Sequence, residues 1–258
     1  MTTERELIEI RGVKLMMRHL GTGPTILYLH GFDGAQAASA LTARLSEQFR
    51  VLIPDHPGMG ETDMPPWLET IHDMAYFYLD LLAALDLNDL HVVGFDLGGW
   101  IALEIGIRSI ERLRSLTLIG SAGIHVNGVP KGDLFMRSPD IVLRSLFADP
   151  TNADKILAHR PSREEEDVLI KNRFTIARVG WHPPLTDPQL AKWLHRIARP
   201  SHIIWGDTDR LFPIEYAREF ERFIPGSRVT VVPNCGHAAH IEHPEALASA
   251  VSTFIKEH

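Results

Sequence analysis

Residues Leu90 to Leu103, LHVVGFDLGGWIAL, constrain the chain more than any other stretch. An apolar run stops at Gly94 and a helical pattern begins at Gly98, which predicts a strand, a sharp turn and a helix with Asp96 at the apex. Gly94, Gly98 and Gly99 remove the Cβ atoms that would crowd so tight a turn. A carboxylate lifted onto such a turn is a candidate nucleophile. The plainer reading is a cap for the following helix, since Asp readily accepts from first-turn N–H groups.

The rest of the chain supplies a sheet for that turn. Short apolar runs at Thr25–His30, Arg50–Ile53, Leu113–Ile119, Ser201–Trp205 and Arg228–Val232 alternate with helical patterns at Ala37–Phe49, Ile71–Leu87, Gly98–Arg108, Ile214–Phe223 and Pro244–Lys256. This alternation predicts an α/β fold, a mostly parallel central sheet with helices on both faces. Residues Leu7 to His19 alternate around Gly12 and predict an edge hairpin. From Ser121 to about Arg199 the rhythm breaks into helical patterns at Pro139–Phe147, Thr151–His159, Ser162–Arg178 and Asp187–Ala198, separated by prolines. The expected organisation is a core of residues 1–120 and 200–258, interrupted by an all-helical cap at 121–199. A chain of 258 residues suffices for one such core with an insertion.

In a parallel sheet the loops after the strands gather on one edge, where ligands bind. Here they are His30 to Gly34, Gly94 to Gly99, Gly206 to Asp209 and Gly236 to His240. Asp96, a later carboxylate and His237 form a candidate set of nucleophile, orienting acid and base. His237, His240 and His243 recur every three residues, but Gly236 and Pro244 oppose one helix through all three. No metal site and no cofactor are expected.

Charge narrows the partners. The net charge of −7 has its signs interspersed, leaving no basic stripe for nucleic acid. Met1 to Ile10 lacks an apolar signal core, and no apolar run reaches membrane-spanning length. Cys235 is the only cysteine, so no internal disulfide forms. The expectation is a cytoplasmic protein with water and a small, apolar molecule as its partners, without nucleic acid or membrane; a homodimer is compatible with the sequence.

Five segments in order resemble the α/β-hydrolase family with a helical cap. HGFDG is similar to its oxyanion loop, DHPGMGETD to the loop after the next strand and GFDLGG to its nucleophile elbow. WGDTDRLFP is similar to its acid loop and NCGHAAHIEHPE to its histidine loop. The resemblance implies an α/β-hydrolase fold with catalytic Asp96, His237 and Asp209, and an oxyanion hole of the Phe32 and Leu97 backbone N–H groups. Family spacing favours Asp209 over Asp207 as the acid.

The family's usual elbow is G-x-S-x-G, and Asp96 stands at the serine position. That resembles the haloalkane dehalogenase and epoxide hydrolase branches, in which the carboxylate attacks an sp3 carbon and the alkyl ester is then hydrolysed. The leaving-group partners differ from those branches. Leu97 stands where dehalogenases carry Trp, DLGGW lacks the arginines of fluoroacetate-type enzymes, Asp33 replaces the proline of H-G-x-P, and no Tyr lies between Tyr78 and Tyr216. Trp181, His182 and Trp193 are candidate pocket residues, with His159 a further donor in the same segment. Two other readings stay open. GGWIALE also resembles serine-type ester and carbon-carbon bond hydrolases, in which Asp96 would replace the usual Ser, and the same fold also suits a non-catalytic ligand receptor.

Overall fold

The computed structural model describes residues 4–258; the first three residues of the expected core lie outside it. Eight strands form one sheet: β1 (Glu4–Ile10), β2 (Val13–Leu20), β3 (Thr25–Leu29), β4 (Arg50–Pro54), β5 (Leu90–Phe95), β6 (Leu113–Ile119), β7 (Ser201–Gly206) and β8 (Arg228–Val232). Their spatial order is β1-β2-β4-β3-β5-β6-β7-β8. The hairpin β1-β2 and the β2-β4 pair are antiparallel, and every pair from β4 to β8 is parallel. Strand β5 lies between β3 and β6 and is buried throughout.

Side-chain alternation divides the core between the sheet's two faces. Leu27, Leu29, Leu90 and Val92 point to one face, packed with residues of α2 (Ile71–Ala84), α3 (Leu97–Arg108) and α7 (Glu215–Phe223). Ile26, Tyr28, Val93 and Phe95 point to the other, with Leu41 and Leu45 of α1 (Ser39–Leu45) and Leu247 and Val251 of α9 (Pro244–Lys256). Helix α2 starts at a Thr70 capping box closed by Asp73.

Between β6 and β7 the described residues form helices, short 3-10 turns and loops, without a strand. The helices are α4 (Pro139–Ser145), α5 (Ala153–Ala158) and α6 (Arg163–Gly180). Helix α6 opens with a second capping box, Ser162 with Glu165. The helix expected at Asp187–Ala198 is instead two 3-10 turns, Leu190–Lys192 and Leu194–Arg196. Pro188 lacks an N–H, Asp187 N–H donates to Gly123 O, and Leu190, Leu194 and Ile197 are buried. Tethering at one end and burial along one side favour short turns over a continuous helix. The remaining helix, α8 (Ala239–Glu242), follows the histidine loop.

Candidate active site

Asp96 leaves β5 with φ 49° and ψ −112°, a sparsely populated conformation that costs about 1–3 kcal/mol. Its backbone is held from both neighbours: Asp96 N–H donates to Ile119 O at 3.0 Å, and Asp96 O accepts from Trp100 N–H and Ala122 N–H. The side chain does not cap α3. Oδ2 accepts instead from the Phe32 N–H at 3.1 Å, and Oδ1 lies 3.6 Å from His237 Nε2 with no hydrogen-bond partner. Both side chains are buried.

His237 reaches this position from the loop after β8. Its Nδ1 is 2.8 Å from Asp209 Oδ2, while Asp209 Oδ1 accepts from the N–H groups of Leu211 and Phe212. Asp207 points elsewhere, accepting from Cys235 N–H. Burial disfavours the His237 imidazolium, but Asp209 first and Asp96 second outweigh that and push its pKa up to about 10. In the resting site His237 is therefore a cation between two carboxylates. The rings of Phe32, Phe95 and Phe212 surround it.

The loop after β3 rests on a buried polar stack of His30, His56 and Tyr78. His56 N–H donates to His30 Nε2 at 3.2 Å, so His30 carries its proton on Nδ1 and donates to Gly31 O. His56 Nε2–H in turn donates to His30 O, and its Nδ1 accepts from the Tyr78 hydroxyl. Burial lowers the pKa of both histidines, which keeps them neutral. Leu97, the other expected oxyanion donor, opens α3, where a leading N–H has no carbonyl one turn back to bond.

The residues of 121–199 expected in the pocket are largely exposed. Trp181 and Trp193 are each 49% exposed, and His182 is also exposed. Trp181 packs edge-on against Phe135 in a surface cleft of about 280 Å³, and Trp193 lies beside His195. His237, His240 and His243 diverge as well, facing Asp209, Asp33 and Asn234 O. Another group, His72, Glu104 and Asp187, brings three ligand-type atoms within 4.8 Å. Glu104 already accepts from Trp100 and pairs with Arg108, and His72 bonds Asp187, so hydrogen bonds and ion pairs account for the cluster. Burial raises the Cys235 thiol to about 12, which leaves it inert beside His237.

A carboxylate on a strained strand-to-helix turn, an Asp-oriented histidine and a backbone donor on one sheet edge define an α/β-hydrolase site. The alpha/beta hydrolase family profile matches residues 26–250, and the chain belongs to that family and is a hydrolase. It is similar to 2-hydroxymuconate semialdehyde hydrolase of Pseudomonas sp. (strain CF600), 27% identical over 271 residues that cover 98% of this chain and 94% of that protein. A 2-hydroxy-6-oxo-6-(2'-aminophenyl)hexa-2,4-dienoic acid hydrolase of Metapseudomonas resinovorans is 26% identical over 261 residues, 95% of this chain and 88% of the relative. The crystal structure of a serine hydrolase involved in carbazole degradation superposes with a TM-score of 0.82 over 100% of both chains, at 21% identity. Among the described residues no helix is long and apolar enough to cross a membrane.

Proposed function

We propose that this hydrolase works through an alkyl ester on Asp96, formed by attack on an sp3 carbon of a small apolar epoxide or haloalkane beneath a helical cap of residues 121–199. The observation that carries the reading is the division of labour within one carboxylate. Oδ2 is held by the Phe32 N–H, whereas Oδ1 accepts no hydrogen bond and faces the His237 ring at 3.6 Å. Asp96 Oδ1 attacks the carbon and the bond to the leaving group breaks; an epoxide oxygen takes the His237 proton as the ring opens, whereas a halide departs as the anion and the His237 proton passes to solvent. Oδ2, still against the Phe32 N–H, becomes the ester carbonyl oxygen. Water then attacks Cγ while His237 takes its proton, and the oxyanion on the former Oδ2 is stabilised by the Phe32 and Leu97 N–H groups. Collapse expels the alkoxide, which takes the proton from His237, and the carboxylic acid left on Asp96 then gives its proton to His237, restoring the carboxylate and the imidazolium.

The charges around His237 give the sequence its order. With Asp96 ionised, His237 holds its proton. Esterification neutralises Asp96 and removes one of the two charges that raise the histidine pKa, so the base becomes available once there is an ester to hydrolyse. His237→Gln should therefore form the ester and fail to release it. Intact-protein mass after incubation with styrene oxide or bromohexane should rise by the adduct, located on the Asp96 peptide; an unmodified mass with both probes contradicts the proposal.

A second reading is favoured by the relatives, among them a serine hydrolase and a 2-hydroxymuconate semialdehyde hydrolase. In it the frame serves acyl chemistry and Asp96 replaces a Ser, giving an anhydride in place of an acyl ester and a weak or inactive enzyme. Asp96→Ser would then gain nitrophenyl ester hydrolysis. No such gain is expected if the pocket serves sp3 carbon.

A further inference from the structure

We infer that Asp33 and His240 are positioning residues that hold the Phe32 oxyanion donor in place for ester hydrolysis, an inference that rests on the Asp96 alkyl-ester reading. Phe32 and Asp33 are the two central residues of a turn closed by Gly34 N–H to Gly31 O at 3.2 Å. Phe32 turns its N–H toward Asp96. Asp33 Oδ2 lies 2.8 Å from His240 Nε2, a close contact outside hydrogen-bond geometry that leaves both buried ring nitrogens of His240 without a hydrogen-bond partner. His240 is 1% exposed and lies in α8, one short turn beyond His237. Its ring packs against Phe95, the residue before Asp96, at 4.3 Å between centroids.

These contacts close a loop through the site: Asp96 to Phe32, Phe32 to Asp33 by the chain, Asp33 to His240, His240 to Phe95, and Phe95 to Asp96 by the chain. The Asp33–His240 contact links the oxyanion loop to the segment that carries the base. The histidine loop is fixed on its far side too, because Glu242 in α8 accepts from Gly236 N–H and Ala148 N–H. The oxyanion turn thus rests against a segment that is itself hydrogen-bonded to its neighbours.

The two half-reactions depend on Phe32 differently. During alkylation the negative charge on Asp96 declines, so a donor on Oδ2 stabilises the starting carboxylate at least as much as the transition state. During hydrolysis the charge reappears and concentrates on that same oxygen, where the donor lowers the barrier. A displaced Phe32 N–H therefore slows ester breakdown selectively.

The test is rapid-quench mass spectrometry of Asp33→Ala, with the intact His237, turning over styrene oxide and bromohexane. Ester breakdown is expected to slow about tenfold to a hundredfold while formation stays within about threefold of wild type, so that the alkyl-enzyme accumulates at steady state. Asp33→Asn, which keeps an oxygen facing His240, should restore breakdown, and His240→Phe should reproduce the Asp33→Ala behaviour. These two variants also carry the test if Asp33→Ala does not fold. Equal slowing of both steps, or unchanged breakdown, overturns the positioning role. If His237→Gln traps ester but Asp33→Ala accumulates none, only this inference falls. If His237→Gln traps no ester, the Asp96 reading falls and this inference with it.

Discussion

A Cβ placed on Gly98 would lie 2.0 Å from Leu29 O and 2.6 Å from His30 O, both backbone atoms that cannot swing aside. Gly98→Ala is therefore expected to destabilise the fold by about 1–3 kcal/mol, with activity falling as β3 and α3 are pushed apart. Denaturant unfolding measures this, and an unchanged midpoint would contradict it. His237 supplies a second test at this scale. Its pKa in the fold, about 10, exceeds the value of about 6.5 for an unperturbed histidine. A group raised on folding adds stability that is complete below its unfolded pKa and is lost as pH rises through its folded pKa. The melting-temperature advantage of wild type over His237→Gln should thus shrink between about pH 6.5 and pH 10. A gap that stays constant or widens would contradict the charged resting state.

Among the elements, α6 ties the 121–199 segment to the loop after β4. Lys171 Nζ donates to Gly60 O and Thr62 O, Asn172 Oδ1 accepts from Gly60 N–H at 2.9 Å, and the Thr175 hydroxyl donates to Gly58 O. Asn172 and Thr175 are buried, whereas Leu169, Ile170 and Phe174 on the same helix are exposed. Asn172→Ala leaves the Gly60 N–H without its acceptor, which should cost about 1–3 kcal/mol and speed hydrogen exchange at that amide. Exchange unchanged from wild type would show that α6 is not the anchor. Little of this was legible in the sequence. The helix itself followed from its periodicity and from a start at Ser162, both local signals. That Asn172 meets a loop more than a hundred residues earlier depends on how the chain packs, which no spacing reports. For the same reason Trp181 and Trp193, candidates for the pocket by residue type, lie half exposed, and Asp187–Ala198 forms short turns.

Across the whole molecule the sheet was more legible than the segment above it. Buried parallel strands are continuous apolar runs bounded by turn residues, and all six from β3 to β8 lie within a residue or so of the expected runs. The elbow was readable because its glycines are neighbours in sequence as well as in space. The order of loops along the chain pointed to His237 and to a carboxylate in the loop after β7, the family resemblance favoured Asp209 over Asp207 there, and the fold brings His237 to Asp96 with Asp209 behind it. The contact between Asp33 and His240, and the partners His56 and Tyr78 of His30, had no pattern to announce them, since each joins segments far apart in the chain. The resulting architecture places an aspartate where the α/β-hydrolase elbow usually carries a hydroxyl, and the account depends on its carboxylate being consumed and rebuilt in every turnover. Turnover in heavy-oxygen water tests it most directly. In the first cycle the product oxygen should come unlabelled from Asp96, and after many cycles the peptide containing Asp96 should carry heavy oxygen in its carboxylate. Label entering the product from the first cycle, with Asp96 unlabelled after many, would contradict the covalent mechanism.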